Sequence, residues 1–307
     1  MVERTRPLKV GVQLPEVERE VRWPEMRAMA KEAEDVGFDS LWVGDHLLYR
    51  KPLGPVGPWE AWTSMAALAE MTTRVEIGPL VACTAFHEPA VLAKMAATLD
   101  EISGGRLILG LGAGWNEPDF TAFGLPYDHR ASRFEEAFTI IRTLLRDGHI
   151  DFQGEFYSAR DCELLPRSPR PNGPPLMLGS IGERLLRFTA PHIDAWNAWH
   201  DWFGNTPDGL RPLNAAVDEA ARSAGREPSE IERTVTVLVQ LTGGTGRAAG
   251  GEIAKPTAPL RGSPQEVARS IARYADEGVG HVQLVLDPIT LASIEECGPI
   301  LELLDRA

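Results

Sequence analysis

Short apolar segments alternate with longer amphipathic segments along most of the chain. The short segments are rich in Val, Ile and Leu, which is typical of strands buried in a parallel sheet. The pattern predicts eight strands: Leu8–Leu14, Ser40–Val43, Val75–Ala82, Leu107–Leu111, Leu176–Leu178, Ile193–Trp196, Thr234–Leu241 and His281–Leu286.

A predicted helix follows each predicted strand, with apolar positions at helical spacing. The first helix has Pro24 in its first turn and Gly37 just past its end, which are ordinary start and stop signals. The eight predicted helices are Trp23–Val36, Glu60–Glu70, Glu88–Ile102, Ser132–Arg146, Gly182–Thr189, Asp208–Ala224, Pro264–Glu277 and Ile289–Leu304.

Eight strand–helix units in series imply parallel strands joined by right-handed crossovers. This number suits a closed (β/α)8 TIM barrel better than an open sheet, so we expect an α/β fold. The composition does not change sharply anywhere, and we therefore predict one domain over residues 1–307. Two connections are unusually long, His149–Pro175 and an insertion after strand seven, Gly243–Arg261. The second is either an active-site lid or a tolerated surface insertion.

Composition and charge narrow the class of protein. The chain has 307 residues, 43% of them hydrophobic, and a formal net charge of −13. These values indicate a globular protein and argue against a nucleic-acid or anionic-membrane partner. Three widely spaced cysteines, with neither a signal peptide nor a membrane span in the sequence, favour a cytoplasmic enzyme that acts on a small molecule.

The residues just past each strand are the candidates for chemistry, because barrel active sites form at the carboxyl ends of the strands. His46, after Asp45, is the candidate acid, base or hydrogen-bond donor. The other reading makes His46 structural and Asp45 a partner for a backbone N–H. The remaining strand-end candidates are Val81, Ala82, Cys83, Gly112, Gly114, Trp115, Asn116, Gly179, Ser180, Ile181 and Gly182.

Two glycine-containing turns suggest ligand contacts. The turn Gly179–Gly182 exposes backbone N–H groups at the start of a helix, where a phosphate binds well, and Arg184 would add charge. A plain turn is the alternative. The run from Gly110 to Trp115 fails as a dinucleotide fingerprint because its third glycine comes one residue early. Its glycines would let a flat ring approach the backbone, with Trp115 beside the ring or merely packed under a loop.

Other catalytic patterns are missing from the sequence. We find no Walker A motif, no His-Glu-x-x-His, no nucleophile elbow and no Cys-x-x-Cys. We therefore predict no metal site, although the spacing leaves a pairing of His46 with His200 open. Trp42, Trp196, Trp199 and Trp202 either shape an apolar substrate pocket or belong to the core.

Five segments of the chain resemble a known family. They are SLWVGDH (40–46), EPAVLAKMAATLDEISGGRLILGLGAGWNEPDFTAFG (88–124), RFEEAFTIIRTLL (133–145), PPLMLGSIGERLLRFTA (174–190) and GSPQEVARSIARYADEGVGHVQLVL (262–286). This pattern resembles the bacterial luciferase-like superfamily, particularly its coenzyme F420-dependent oxidoreductases.

The resemblance implies a barrel that binds F420, or alternatively FMN, with the ring at the strand ends. It places His46 and Asp45 near the ring, and Val81, Ala82 and Cys83 beneath it, where the family often has a non-prolyl cis peptide or a bulge. It implies that Gly179, Ser180, Ile181 and Gly182 hold the cofactor phosphate and that Trp115 and Asn116 line the pocket. Homodimers are common in the family.

The resemblance predicts hydride transfer between F420 and a small organic substrate, with His46 as proton donor or acceptor. The alternatives are an FMN monooxygenase served by a separate reductase and a non-catalytic flavin-binding protein. Three departures from family patterns bear on this choice. Ser180 replaces a glycine of the phosphate turn. Arg50 and, approximately, Trp115 stand where glucose-6-phosphate-oxidising members have tryptophan and glutamate, which argues against that substrate. The segment from Arg130 to Phe134 lacks the histidine of some FMN monooxygenases.

Overall fold

The structure, a computed structural model, describes residues 6–246 and 257–306. Strands and helices alternate along these residues as the hydrophobic pattern predicts. The strands within them are β1 (Lys9–Gln13), β2 (Ser40–Val43), β3 (Tyr49–Lys51), β4 (Gly54–Val56), β5 (Glu76–Pro79), β6 (Ala82–Cys83), β7 (Leu109–Gly112), β8 (His149–Gln153), β9 (Ser158–Glu163), β10 (Leu176–Leu178), β11 (Ala195–Ala198), β12 (Glu232–Gln240) and β13 (Val279–Asp287).

The helices surround the strands and bury their apolar faces against them. Local sequence signals set several of their ends: Gly37 ends α1 in the left-handed region at φ 113°, and Ser263 and Glu266 form a reciprocal cap on α8. The helices of the described residues are α1 (Trp23–Val36), α2 (Ala61–Met71), α3 (Pro89–Ile102), α4 (Glu117–Phe123), α5 (Arg130–Asp147), α6 (Glu183–Thr189), α7 (Pro207–Ser223), α8 (Pro264–Ala272), α9 (Leu291–Glu296) and α10 (Gly298–Leu304).

Nine of the strands form one parallel sheet in the order β5-β2-β1-β13-β12-β11-β10-β7-β6. The two ends of this order meet, because Ile77 in β5 bridges Leu107 just before β7. The N–H of Ile77 donates to the carbonyl of Arg106 at 3.0 Å, and the N–H of Ile108 donates to that of Ile77 at 2.9 Å. The sheet therefore closes into a barrel, and the predicted TIM-barrel class is confirmed.

One barrel position is shared by two short strands. The sequence predicts a continuous strand Val75–Ala82, whereas the structure has β5 and then β6, interrupted at a cis peptide bond between Leu80 and Val81. β5 pairs with β2, and β6 pairs with β7. Counting β5 and β6 as one position leaves eight barrel positions, as the alternating pattern predicts.

Other differences from the predicted elements lie mostly in the connections. The stretch His149–Pro175 contains the antiparallel pair β8 and β9, and a second small hairpin, β3 and β4, follows the second barrel strand. The predicted last helix is two helices, α9 and α10, that meet at Gly298 before Pro299, because proline at this point lacks the N–H that a continuous helix needs. The predicted insertion Gly243–Arg261 falls partly outside the described residues. Among the helices of the described residues, no helix is both long enough and apolar enough to cross a membrane.

Barrel closure requires a residue without a side chain at Gly78. A Cβ at this position would lie 2.3 Å from the Ile108 carbonyl oxygen and 2.9 Å from Trp42 Cζ3. We expect Gly78→Ala to lower the free energy of unfolding by about 1–3 kcal/mol through overpacking. Urea unfolding followed by circular dichroism measures this change.

Gly298→Ala is the matched control. A Cβ there would meet only Val36 Cβ at 3.9 Å, an ordinary contact, so its effect should stay within about 0.5 kcal/mol. Equal stability of the two variants would contradict the close approach of β5 to the chain before β7.

Candidate functional site

A cavity of about 390 Å³ opens at the carboxyl ends of the barrel strands. Its volume falls in the range of small-molecule and cofactor sites, about 300–1,000 Å³. The residues around it come from almost every strand end. They are Gln13, Glu16, Val17, Glu18, Asp45, His46, Tyr49, Lys51, Leu80, Val81, Cys83, Phe86, Gly112, Ala113, Gly114, Trp115, Asp119, Gly179, Ser180, Ile181, Asn197, Trp199, His200, Asp201 and Trp202.

His46 and Asp119 form the central polar pair of the cavity. His46 Nδ1 lies 2.7 Å from Asp119 Oδ2, and the Asp119 side chain is fully buried. The other carboxylate oxygen accepts hydrogen bonds from the backbone N–H groups of Leu47, at 3.0 Å, and Leu48, at 2.6 Å. Asp119 in α4 therefore holds both the imidazole and the loop that carries it.

The pair sets the protonation of the imidazole. Burial by itself lowers the pKa of His46, but the hydrogen bond to Asp119 and the nearby charges of Glu16, Asp119 and Asp45 outweigh it, so the pKa is raised. Burial conversely raises the pKa of Asp119, but the bonds from His46 and from the Leu48 N–H leave it lowered. Asp119 is thus an ionised acceptor for the Nδ1–H of His46, which leaves Nε2 as the nitrogen that can exchange a proton.

Asp45 and Cys83 connect the ends of the second and third barrel strands. The Cys83 N–H donates to Asp45 Oδ2 at 2.9 Å, and His87 Nε2 lies 3.6 Å from the same oxygen. Burial, with Asp45 nearby, raises the pKa of the Cys83 thiol well above its usual range. Asp45 therefore partners a backbone N–H, as its alternative reading proposed, while still lining the cavity.

Val81 lies among three glycines on neighbouring strands. A Cβ on Gly110, Gly112 or Gly179 would come within 2.8 Å of a Val81 methyl group. The Val81 side chain occupies space beside all three glycines, and at Gly110 the Pro79 carbonyl oxygen would lie closer still to a Cβ, at 2.4 Å. The glycine at position 114 has a different reason: its φ is +76°, and a Cβ would lie 2.5 Å from Cys83 Sγ.

The turn Gly179–Gly182 is held in place by its neighbours. Trp196 Nε1 donates to the Ser180 carbonyl at 2.7 Å, and the Gly182 N–H donates to Ser180 Oγ at 3.1 Å. Arg184, which the sequence suggested as an extra positive charge, forms an ion pair with Glu135 at 2.6 Å. The turn offers hydroxyl and backbone groups to a ligand, while the nearby arginine is engaged with α5.

The candidate residues fall into two groups in the structure. Most line the cavity, and Trp115 does so with its ring 5.4 Å from that of His46. Asn116 lies below the surface instead, where Nδ2 donates to the Leu48 carbonyl at 2.8 Å. Trp199 and Trp202 line the cavity. The candidates outside the lining are Ala82, Asn116, Gly182, Trp42 and Trp196.

Several cavity residues escaped sequence reasoning, among them Gln13, Glu16, Tyr49 and Asp119. Gln13 ends the first strand and Glu16 follows it, so extending the strand-end rule to this strand would have found both. Asp119 gives no such signal, because it lies on a helix and meets His46 only through the fold. Among the described residues, no group of three or more His, Cys, Asp or Glu side chains is arranged to hold a metal ion.

The arrangement suits proton exchange beside a mostly apolar surface. The pKa of the His46 imidazole is raised, and its partner Asp119 fixes which nitrogen exchanges the proton. Tyr49, Trp115 and the backbone around Gly112 and Gly179 provide flat surfaces on which an aromatic ring can lie.

Comparison with known proteins identifies similar chains. The family model for luciferase-like monooxygenases matches residues 9–249. An F420-dependent glucose-6-phosphate dehydrogenase of Amycolatopsis mediterranei (strain U-32) is 32% identical over 217 residues, which are 68% of this chain and 62% of that protein.

A pyrimidine monooxygenase RutA of Cronobacter sakazakii (strain ATCC BAA-894) is 36% identical over 176 residues, 55% of this chain and 50% of that protein. This chain thus spans between half and two thirds of the length of these two relatives. The solved structure of an F420-dependent secondary alcohol dehydrogenase in complex with an F420-acetone adduct aligns with a TM-score of 0.81 at 20% identity. The alignment covers 97% of this chain and 99% of that one, and it supports the barrel fold.

Removing the charge of Asp119 tests the histidine–carboxylate pair. In Asp119→Asn, burial still lowers the pKa of His46 while the carboxylate bonded to it is gone and only the charges of Glu16 and Asp45 oppose burial, so we expect the pKa to fall. A pH titration of the His46 ring resonances by NMR measures it.

Asp128→Asn is the control, since Asp128 is exposed and pairs with Arg133 at 3.0 Å. It should leave the pKa of His46 unchanged. An unchanged His46 titration in Asp119→Asn would show that the carboxylate does not control the imidazole.

Proposed function

This chain belongs to the luciferase-like monooxygenase family, and from that premise we propose that it is a coenzyme F420-dependent oxidoreductase. It would transfer a hydride between the deazaflavin and a small organic substrate. The observation that carries the proposal is the His46–Asp119 pair at the edge of a mostly apolar cavity, because hydride transfer to or from such a substrate needs a proton moved nearby. The relative whose match covers 68% of the chain is named for F420, which favours this cofactor.

The residues present fit a flat, tricyclic ring. Gly112 and Gly179 carry no side chain, and the Val81 methyl groups lie beside both, so a flat ring can approach the backbone on this side of the cavity. Cys83 and Ala113 extend it. The anionic end of the cofactor would meet Ser180 and Ile181, where hydroxyl and backbone groups are available and the Arg184 charge is already paired.

Each site residue has a defined task in this proposal. The cofactor, when bound, supplies the hydride chemistry. His46 gives or takes the proton at Nε2, because its Nδ1–H is already engaged in the hydrogen bond that Asp119 accepts. Asp119 is a positioning residue that acts through His46. Asp45 holds the Cys83 backbone and so the chain that lies under the ring. Trp115, Trp199 and Trp202 shield the substrate from water.

A second candidate is an FMN-dependent monooxygenase supplied by a separate reductase. The 36% identity to a pyrimidine monooxygenase favours it, although that match covers less of the chain. Both candidates share the ring surface and the phosphate end, and both act on small molecules. The single domain over 1–307 and the homodimer remain predictions in either case.

Cofactor titration separates the two candidates. We expect F420 to quench the tryptophan fluorescence of the purified protein saturably, because Trp115, Trp199 and Trp202 line the cavity, and FMN to bind more weakly. Binding of FMN alone would overturn the leading proposal in favour of the monooxygenase. Binding of neither cofactor would overturn both.

A charge placed in the phosphate turn tests how the cofactor lies. Ser180→Glu puts a carboxylate where the anionic end is proposed to sit, and like-charge repulsion should weaken F420 binding by about tenfold or more. Ser158→Glu, on the exposed strand β9 outside the cavity, is the control and should bind F420 normally. Equal F420 affinity in the two variants would place the anionic end elsewhere.

A further inference from the structure

The cavity has an acidic lining. Of the described residues around it, five are Asp or Glu and only Lys51 is Lys or Arg. Asp45 and Asp119 are used inside the protein, by Cys83 and His46. Glu16, Glu18 and Asp201 also line the cavity, and Lys51 donates to the Val17 carbonyl at 2.8 Å.

Glu16 is fixed by neutral donors. Tyr49 Oη donates to one carboxylate oxygen at 2.6 Å, and Gln13 Nε2 donates to the other at 3.0 Å. The described residues place no Lys or Arg within ion-pair distance of it. Its negative charge acts on the cavity residue His46, whose pKa it helps to raise. A carboxylate held rigidly without a fixed cation can accept one from a ligand.

Gln13 supplies a second, independent sign of a missing partner. Its side chain is only 3% exposed, and Oε1 has no hydrogen-bond donor among the described residues. Exchanging the amide oxygen and nitrogen of Gln13 does not supply the missing donor. It would place Oε1 against the Glu16 carboxylate and remove the hydrogen bond from Nε2. A buried acceptor without a donor costs stability, so a donor is expected from a ligand in the cavity that Gln13 lines.

The surrounding rings extend the same preference. Tyr49 and Trp115 lie 4.8 Å and 5.4 Å from the His46 ring, and Trp199 and Trp202 line the cavity as well. Faces of Trp and Tyr attract cations and also pack against apolar groups. They suit a ligand with an apolar body and one positive group.

We propose that the substrate of this enzyme carries a protonated amine, which binds Glu16 and Gln13 Oε1 while its apolar part packs against the cavity tryptophans. That the bound amine is a substrate rests on the proposed function, whereas the preference for an amine rests on the contacts of Glu16 and Gln13 alone. Glu16 and Gln13 are then specificity-determining residues, since their acceptors favour an ammonium group and repel a carboxylate or phosphate.

Three probes of similar shape test the preference: benzylammonium, benzyl alcohol and benzoate, titrated by calorimetry into the full-length protein at neutral pH. We expect benzylammonium to bind about tenfold or more tightly than benzyl alcohol, and benzoate to bind least. Equal binding of benzylammonium and benzyl alcohol, or tighter binding of benzoate, would overturn the inference.

Glu16→Gln should bring benzylammonium down to the affinity of benzyl alcohol. Glu20→Gln is the matched control, because Glu20 is exposed, pairs with Arg22 and lies outside the cavity lining. Equal losses of benzylammonium affinity in both variants would overturn the role of Glu16. Circular dichroism and the benzyl alcohol affinity of Glu16→Gln show whether the variant keeps its fold.

The F420 titration is run separately on the same samples. A preference for benzylammonium without F420 binding would refute the F420-dependent oxidoreductase and support the amine site. F420 binding without that preference would refute the amine site alone.

Discussion

The close approach of Val81 to three glycine positions is the constraint on which the site depends. Its methyl groups fill the space beside Gly110, Gly112 and Gly179, so the ends of β6, β7 and β10 converge on one valine. Any side chain at these glycines would have to displace it. The same convergence places Val81, Gly112 and Gly179 together in the lining of the cavity. Packing and chemistry are therefore decided by the same residues.

Hydrophobic periodicity was sufficient to predict the barrel. β12 and β13 are buried almost throughout, as their runs of Val and Leu indicate, and the alternation of strands with helices leaves few other topologies. Periodicity alone does not predict the split of Val75–Ala82 into β5 and β6, because the apolar run continues through Leu80 and Val81; the family resemblance, which implies a cis peptide or a bulge at this strand end, does. A hydrophobic pattern indicates which residues are buried, and the residues on either side of this interruption, Leu80 and Ala82, are both buried.

The candidate site was predictable where strand ends carry it and hidden where the fold assembles it. His46 follows β2 directly, so the strand-end rule finds it. Asp119 lies 73 residues further on, on a short helix, and no local spacing links the two. The glycines show a subtler limit, since sequence reasoning assigned Gly112 to a ring and Gly179 to a phosphate when both first make room for Val81. A glycine in the sequence indicates that another group approaches the backbone closely, but it does not identify that group.

The burial of the Cys83 thiol affects how readily this side chain can be oxidised. It lines the cavity in which electrons would be exchanged, yet burial and the neighbouring Asp45 hold its pKa well above the usual range. A thiol that stays protonated is a poor nucleophile toward peroxides and disulfides. Cys297, buried on the far helices, is similarly inert with its pKa raised to about 12. The thiol that lines the cavity is therefore kept in its protonated, less reactive form beside the reacting groups.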